Sequence, residues 1–240
     1  MVITSTTVLP GLREDMSFTT RDGFTLVGEV SRPESVDPRA TALFFHPLPT
    51  AGGFMDSHII RKASWRLPAL ADIAVVRFNF RGVTSPRGTS EGSFGQGEDE
   101  ALDLEASINW TLAAGLPKPW LVGWSFGTEV ILKHARSREG QIAGIILLSP
   151  PLHRTTETEI AAWSDATVPI AALVPEFDEF LTPEQATPRF APAPNITVIA
   201  AEGAKHLWVG EKQTSWVLDQ IAKRMNPSAS PLPSQWQPHL

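Results

Sequence analysis

The segment best suited to chemistry is Gly123-Trp124-Ser125-Phe126-Gly127. Gly-x-Ser-x-Gly makes a nucleophile of its serine when a strand enters the motif and a helix leaves it. The serine then occupies a sharp, strained turn that lifts Oγ above a sheet, and the flanking glycines leave room for close backbone approach. Both flanks fit: Trp120-Leu121-Val122 is a short apolar run of strand type, and Phe126 to His134 carries helical spacing. A helix starting at the serine also aims the backbone N–H of Phe126 at the place where an oxyanion would form. The chain has no cysteine. Thiolate catalysis, disulfides and Cys-ligated zinc are therefore excluded, and the nucleophile must be an oxygen.

A serine needs a base, and the base needs an orienting acid. With this elbow the chain order is serine, acid, histidine. After Ser125 come His134, within the predicted helix, then His153, His206 and His239. His239 lies in the tail and His153 follows a strand end in Pro150-Pro151-Leu152. His206 stands in Glu202-Gly203-Ala204-Lys205-His206-Leu207-Trp208, beyond the last predicted strand and before the last helix, which is the sheet edge where open α/β folds bind ligands. The acid is expected in Pro175-Glu176-Phe177-Asp178-Glu179-Phe180. Asp178 is preferred because Phe177 and Phe180 flank it and are expected to bury it; Glu176 and Glu179 are the alternatives. A second oxyanion donor should follow an earlier strand. In His46-Pro47-Leu48-Pro49 the two prolines carry no N–H, so Leu48 N–H is the available donor. His46 reads as a hydrogen-bonding residue that shapes this loop.

The elements that position these residues form an α/β pattern. The continuous apolar runs at 42–45, 73–76, 120–122, 142–148, 168–174 and 196–199 read as strands buried on both faces. Helical spacing lies between them, as in a mostly parallel sheet covered on both sides. Met16 to Thr20 and Phe24 to Val27 flank Arg21-Asp22-Gly23 and predict an antiparallel hairpin. Further helices are expected at 57–67, ending at Pro68, at 98–112 with Gly115 as its stop, and at 216–225. The acidic run Glu98-Asp99-Glu100, Asp103 and Glu105 reads as a helix start and a solvated face. The expected division is an extension over 1–15, one domain over 16–225 and a Pro/Ser-rich tail over 226–240, pinned by Trp236.

The 240 residues carry a net charge of −6, with 42% hydrophobic and 19% charged residues, the mixture of a globular interior. No basic stripe supports a nucleic-acid partner, no apolar run approaches the ~18 residues of a membrane span, and Met1 to Leu12 lacks an export signal's basic start and cleavage site. A cytoplasmic location is expected; oligomeric state is not legible.

Four blocks together resemble the α/β-hydrolase superfamily: His46-Pro47-x-Pro49-x-x-Gly52-Gly53-x-Met55-Asp56, Val76-Arg77-Phe78-Asn79-Phe80-Arg81-Gly82-Val83, the Gly-x-Ser-x-Gly elbow, and Gly203-Ala204-x-His206. More narrowly, they are similar to the small lidless bacterial hydrolases related to dienelactone hydrolase. The resemblance covers roughly residues 16 to 225 and implies an eight-stranded, mostly parallel sheet with little or no lid and a Ser125, His206, Asp178 triad. Two departures are visible: Thr84-Ser85 replaces the Gly-x-Ser continuation usual after Arg-Gly-Val, and Pro175 replaces the glycine three residues before the acid.

The chemistry expected is hydrolysis of a small ester-like substrate, a carboxylic ester, thioester or lactone, without metal or cofactor. Peptidase or acyltransferase chemistry would use the same groups, and a non-catalytic binding or scaffolding protein is the alternative from another class. Phe54, Trp124, Phe126, Phe180 and Trp208 are candidate pocket residues.

Overall fold

The computed structural model describes residues 1–237, so His239 lies outside the described residues. Eight strands share one sheet: β1 (Leu12–Thr19), β2 (Thr25–Arg32), β3 (Ala40–Phe45), β4 (Ile73–Phe78), β5 (Pro119–Trp124), β6 (Gly144–Leu148), β7 (Ile170–Pro175) and β8 (Ile196–Ala201). Their spatial order is β1-β2-β4-β3-β5-β6-β7-β8. The first two strands pair antiparallel through the hairpin at Arg21-Asp22-Gly23, with Thr19 opposite Thr25, and β2 runs antiparallel to β4. Every pairing from β4 across to β8 is parallel. Strand β1 begins at Leu12, four residues before the expected boundary.

The apolar runs are continuous because each central strand feeds two cores. Leu43, Phe45, Val76, Phe78 and Leu121 share one core with α2 (Glu100–Ala113), α3 (Phe126–His134) and α5 (Pro183–Phe190) on one face. Their sequence neighbours Ala42, Phe44, Val75, Val122 and Trp124 pack with α1 (His58–Ala71) and α6 (Glu211–Met225) on the other. This is period-two alternation with no polar face. No helix among the described residues is long and apolar enough to cross a membrane.

Helix α1 does not stop at Pro68 but continues to Ala71. A proline inside a helix frees the carbonyl four residues earlier; here the guanidinium of Arg13 donates to the Ser64 and Trp65 carbonyls at 3.3 Å. Leu9 N–H donates to Trp65 as well. The N-terminal segment thus supplies what the proline removes. Helix α6 begins five residues earlier than its apolar spacing indicates, at Glu211. Of the acidic run that starts α2, Glu98 and Asp99 are exposed and Glu105 is half-buried, as expected of a solvated face, but two members turn inward. Glu100 and Asp103 are fully buried: Glu100 accepts from Gly95 and Gly97 N–H, and Asp103 pairs with Arg81 at 2.8 Å.

Between β6 and β7 the chain forms a single short helix, α4 (Glu157–Ala161). Ile160 and Trp163 are buried, and the Trp163 indole donates to Leu132 of α3 at 2.9 Å. The insertion therefore folds down against α3. The tail is joined to the N-terminus by backbone: Ile3 N–H donates to Ser234 and Trp236 N–H to Met1.

Candidate active site

The elbow forms as its sequence demands. Ser125 sits at φ 52°, ψ −115°, between β5 and α3. Its N–H donates to Leu148 of β6, and its carbonyl accepts from Thr128 N–H and from the Thr128 hydroxyl at 2.6 Å. A Cβ on Gly127 would lie 2.1 Å from the Phe45 carbonyl oxygen, and one on Gly123 would lie 2.7 Å from the Gly127 backbone. Only glycine lets β3, β5 and α3 meet here. Glu129 opens α3, and Lys133 and His134 close it, in keeping with the helix dipole.

Three loops at the carboxyl ends of the parallel strands bring the predicted residues to Ser125. The Nε2 of His206, on the loop after β8, is 2.9 Å from Ser125 Oγ. Its Nδ1 is 2.9 and 3.1 Å from the two carboxylate oxygens of Asp178, on the loop after β7. Both residues are buried and Ser125 is half-buried. Asp178 Oδ1 also accepts from Phe180 and Leu181 N–H, which ties the carboxylate to its own loop. The flanking aromatics are themselves half exposed, Phe177 at 55% and Phe180 at 50%. Of the other acids, Glu176 accepts from Gly203 N–H at 2.7 Å and joins the two loops, while Glu179 is exposed.

The loop after β3 is shaped by His46. This buried ring accepts Phe80 N–H at Nε2, 3.0 Å away, so Nδ1 carries the proton and donates to the Pro47 carbonyl at 2.7 Å. Burial lowers its pKa to about 4, which keeps the ring neutral. The Pro47 carbonyl and the Leu48 N–H share one peptide plane and point in opposite directions, so gripping the carbonyl fixes the direction of the amide. Neither Leu48 N–H nor Phe126 N–H has a protein acceptor among the described residues. Further along the loop, Asn79 accepts from Met55 N–H, and Arg77 donates to the Met55 carbonyl and pairs with Asp56 and Glu29. The Arg77-Phe78-Asn79 block thus holds the loop that carries Leu48.

The candidate pocket residues divide. Phe180 stands edge-on to the His206 ring, 4.6 Å between centroids, with His153 edge-on to its other side at 5.3 Å. Phe54 is half-buried and packs on the core. Phe126 is buried beside Phe80 and Phe94. Trp124 and Trp208 do not line a pocket: both are buried in the α1/α6 core, and Trp208 stacks on Trp216. The continuous apolar strand gave no sign of which face Trp124 takes. Two residues escaped sequence reasoning, Ser149 and His58, which bond the His206 and Leu207 carbonyls. The signal for Ser149 was a polar residue at the carboxyl end of an apolar strand, Leu147-Leu148-Ser149. His134, at the end of α3, bonds the Gly97 carbonyl.

A family model described as the alpha/beta hydrolase family matches residues 42–237. The chain belongs to that family. Among solved structures, this hydrolase is similar to XC6422 from Xanthomonas campestris, described as an α/β serine hydrolase without a lid: 27% identity, 94% of this chain and 99% of the other, TM-score 0.73. It is also similar to an alpha-beta serine hydrolase homologue from Coxiella burnetii, at 25% identity over 88% of this chain and 96% of that one, TM-score 0.72. A curated relative, the uncharacterized protein RP471 of Rickettsia prowazekii, is 28% identical over 131 residues, 53% of this chain. The chain spans about half of that relative's length, 52%. The family and these serine-hydrolase neighbours support hydrolase chemistry.

Proposed function

We propose that the chain is a serine hydrolase of carboxylesterase type, cleaving small ester-like substrates through an acyl-enzyme. The observation that carries this reading is the unbroken relay from Asp178 through both nitrogens of His206 to Ser125 Oγ, each step at 2.9 Å. The carboxylate holds Nδ1–H and leaves Nε2 free to accept the serine proton. Ser125 Oγ attacks the substrate carbonyl as His206 takes its proton, and the N–H groups of Leu48 and Phe126 receive the developing oxyanion. Collapse expels the alcohol, thiol or lactone oxygen, which takes the proton from His206. Water, deprotonated in turn by His206, then releases the acid. No cofactor enters this scheme.

Small or exposed acyl groups suit the site, because the only helix between β6 and β7 is the five-residue α4 packed on α3 and Phe180 beside His206 is half exposed. The proposal extends to a small-molecule acyl substrate, with no nucleic-acid or membrane partner, and to a cytoplasmic location.

The test is a panel of short-chain and long-chain esters, thioesters and lactones compared by kcat/KM. Short-chain esters should lead, and Ser125→Ala should lose about 10⁴-fold or more. Asp178→Asn should lose about 10²-fold or more, whereas Glu176→Gln and Glu179→Gln stay within a few-fold. Turnover that survives Ser125→Ala refutes the reading.

A further inference from the structure

His206 must present Nε2 to Ser125 within hydrogen-bond reach, yet it rides on a loop between β8 and α6. Side chains from three other elements grip that loop by its backbone. The indole N–H of Trp124, at the end of β5, donates to the His206 carbonyl at 3.2 Å. The hydroxyl of Ser149, just past β6, donates to the same oxygen at 3.0 Å. His58, at the start of α1, donates from Nε2 to the Leu207 carbonyl at 2.6 Å, and its ring braces Trp124 edge-on, 5.3 Å between centroids at 89°. Trp124 immediately precedes the nucleophile, so one residue is bonded covalently to Ser125 and by hydrogen bond to the main chain of its base.

Ser149 supplies an independent observation. It is buried and held at φ +49°, a conformation that side-chain-bearing residues rarely adopt and glycine adopts freely. Its N–H still donates to Leu173 of β7, so the strained residue remains tied to the sheet. What serine adds over glycine here is the hydroxyl, and that hydroxyl bonds the His206 carbonyl. Strain of this kind persists where surrounding contacts over-determine it, and such positions gather at functional sites.

We infer that Trp124 and Ser149 are positioning residues for His206: together they saturate its carbonyl oxygen and so fix the distance from Nε2 to Ser125 Oγ. The inference rests on the hydrolase reading above. It separates function from stability, because Ser149→Gly relieves backbone strain while deleting the grip.

The experiment compares wild type, Ser149→Gly, Trp124→Phe and Trp120→Phe by melting temperature, by kcat and KM on a short-chain ester, and by the second-order rate of fluorophosphonate labelling. Trp120 shares strand and apolar layer with Trp124 and serves as the packing control. Ser149→Gly is expected to melt at or above wild type, with kcat and labelling rate down about 5–30-fold and KM within two-fold. Trp124→Phe should show the same kinetic loss, and Trp120→Phe a lower melting temperature with kcat unchanged. A wild type that resists labelling overturns the hydrolase reading and this inference with it. A reactive wild type whose Ser149→Gly variant keeps kcat within two-fold overturns the inference alone, whatever becomes of Trp124→Phe.

Discussion

Ser125 and His206 face each other across 2.9 Å, but the chain holds them by different means. Around Ser125 the restraints are the glycines on either side, the first turn of α3, and the adjoining strands β3 and β6. His206 sits on a loop whose backbone is gripped from Trp124, 82 positions away, and from Ser149, 57 positions away, with His58 reaching Leu207 from 149 positions away. The Leu48 loop belongs with the second kind, since Phe80, Asn79 and Arg77 hold it from β4 and its exit. The Ser125 turn is built from consecutive residues and needs only its own strand and helix and the neighbouring strands β3 and β6 to be in place. His206 and the Leu48 loop are in place only when more distant elements have also assembled.

The largest loss is expected at the elbow. Gly127→Ala sets a methyl 2.1 Å from a backbone carbonyl that cannot move independently of β3; kcat/KM should fall about 10³-fold or more and stability by roughly 3–5 kcal/mol in urea unfolding. Arg77→Met comes next. It removes the two-pronged donation to the buried Glu29 carboxylate, which keeps Arg87 at 2.6 Å as its remaining cation, and releases Met55 and Asp56, so stability should drop by about 2–3 kcal/mol, with a kcat loss nearer 10²-fold as the Leu48 loop loosens.

His46→Gln acts on the Leu48 loop and leaves the elbow untouched. Losing the ring that orients the Pro47–Leu48 peptide should lower kcat about 10-fold. The sign of its pH effect follows from a folded pKa of about 4 against an ordinary 6.5. The unfolded chain binds the proton more readily, so the stabilisation is complete above pH 6.5 and is lost as pH falls toward 4. It amounts to about 3 kcal/mol at most. Denaturation curves across that window should therefore be flatter for the variant than for wild type. The smallest effect expected is that of His58→Phe, which keeps a ring against Trp124 but drops the bond to Leu207: about a three-fold loss in kcat and ~1 kcal/mol in stability.

The same distinction explains what could be read from residue order. The elbow, the strands and α3 were legible because their determinants are contiguous: two glycines, apolar runs, acidic and basic helix ends. The meeting of Asp178 and His206 at Ser125 was legible from chain order and from loop position at the sheet edge, and the loop-shaping contacts of His46 from the two following prolines, which carry no N–H. The burial of Trp124 and Trp208 was not, since a strand covered on both faces hides which way a tryptophan points. Nor was the run of α1 through Pro68, which depends on Arg13 some 50 positions earlier. The roles of Ser149 and His58 exist only as contacts to the backbone of a distant loop, and no local spacing encodes them.

In the proposed chemistry Ser125 is a nucleophile activated by His206. Intact-mass analysis after fluorophosphonate treatment, with peptide mapping of the adduct, reads that activation without a choice of substrate. A single stoichiometric adduct on Ser125 in the wild type, absent from His206→Ala over the same interval, is the predicted result. No adduct, an adduct at another residue, or equal labelling in His206→Ala would mean that Ser125 is not a nucleophile activated by His206.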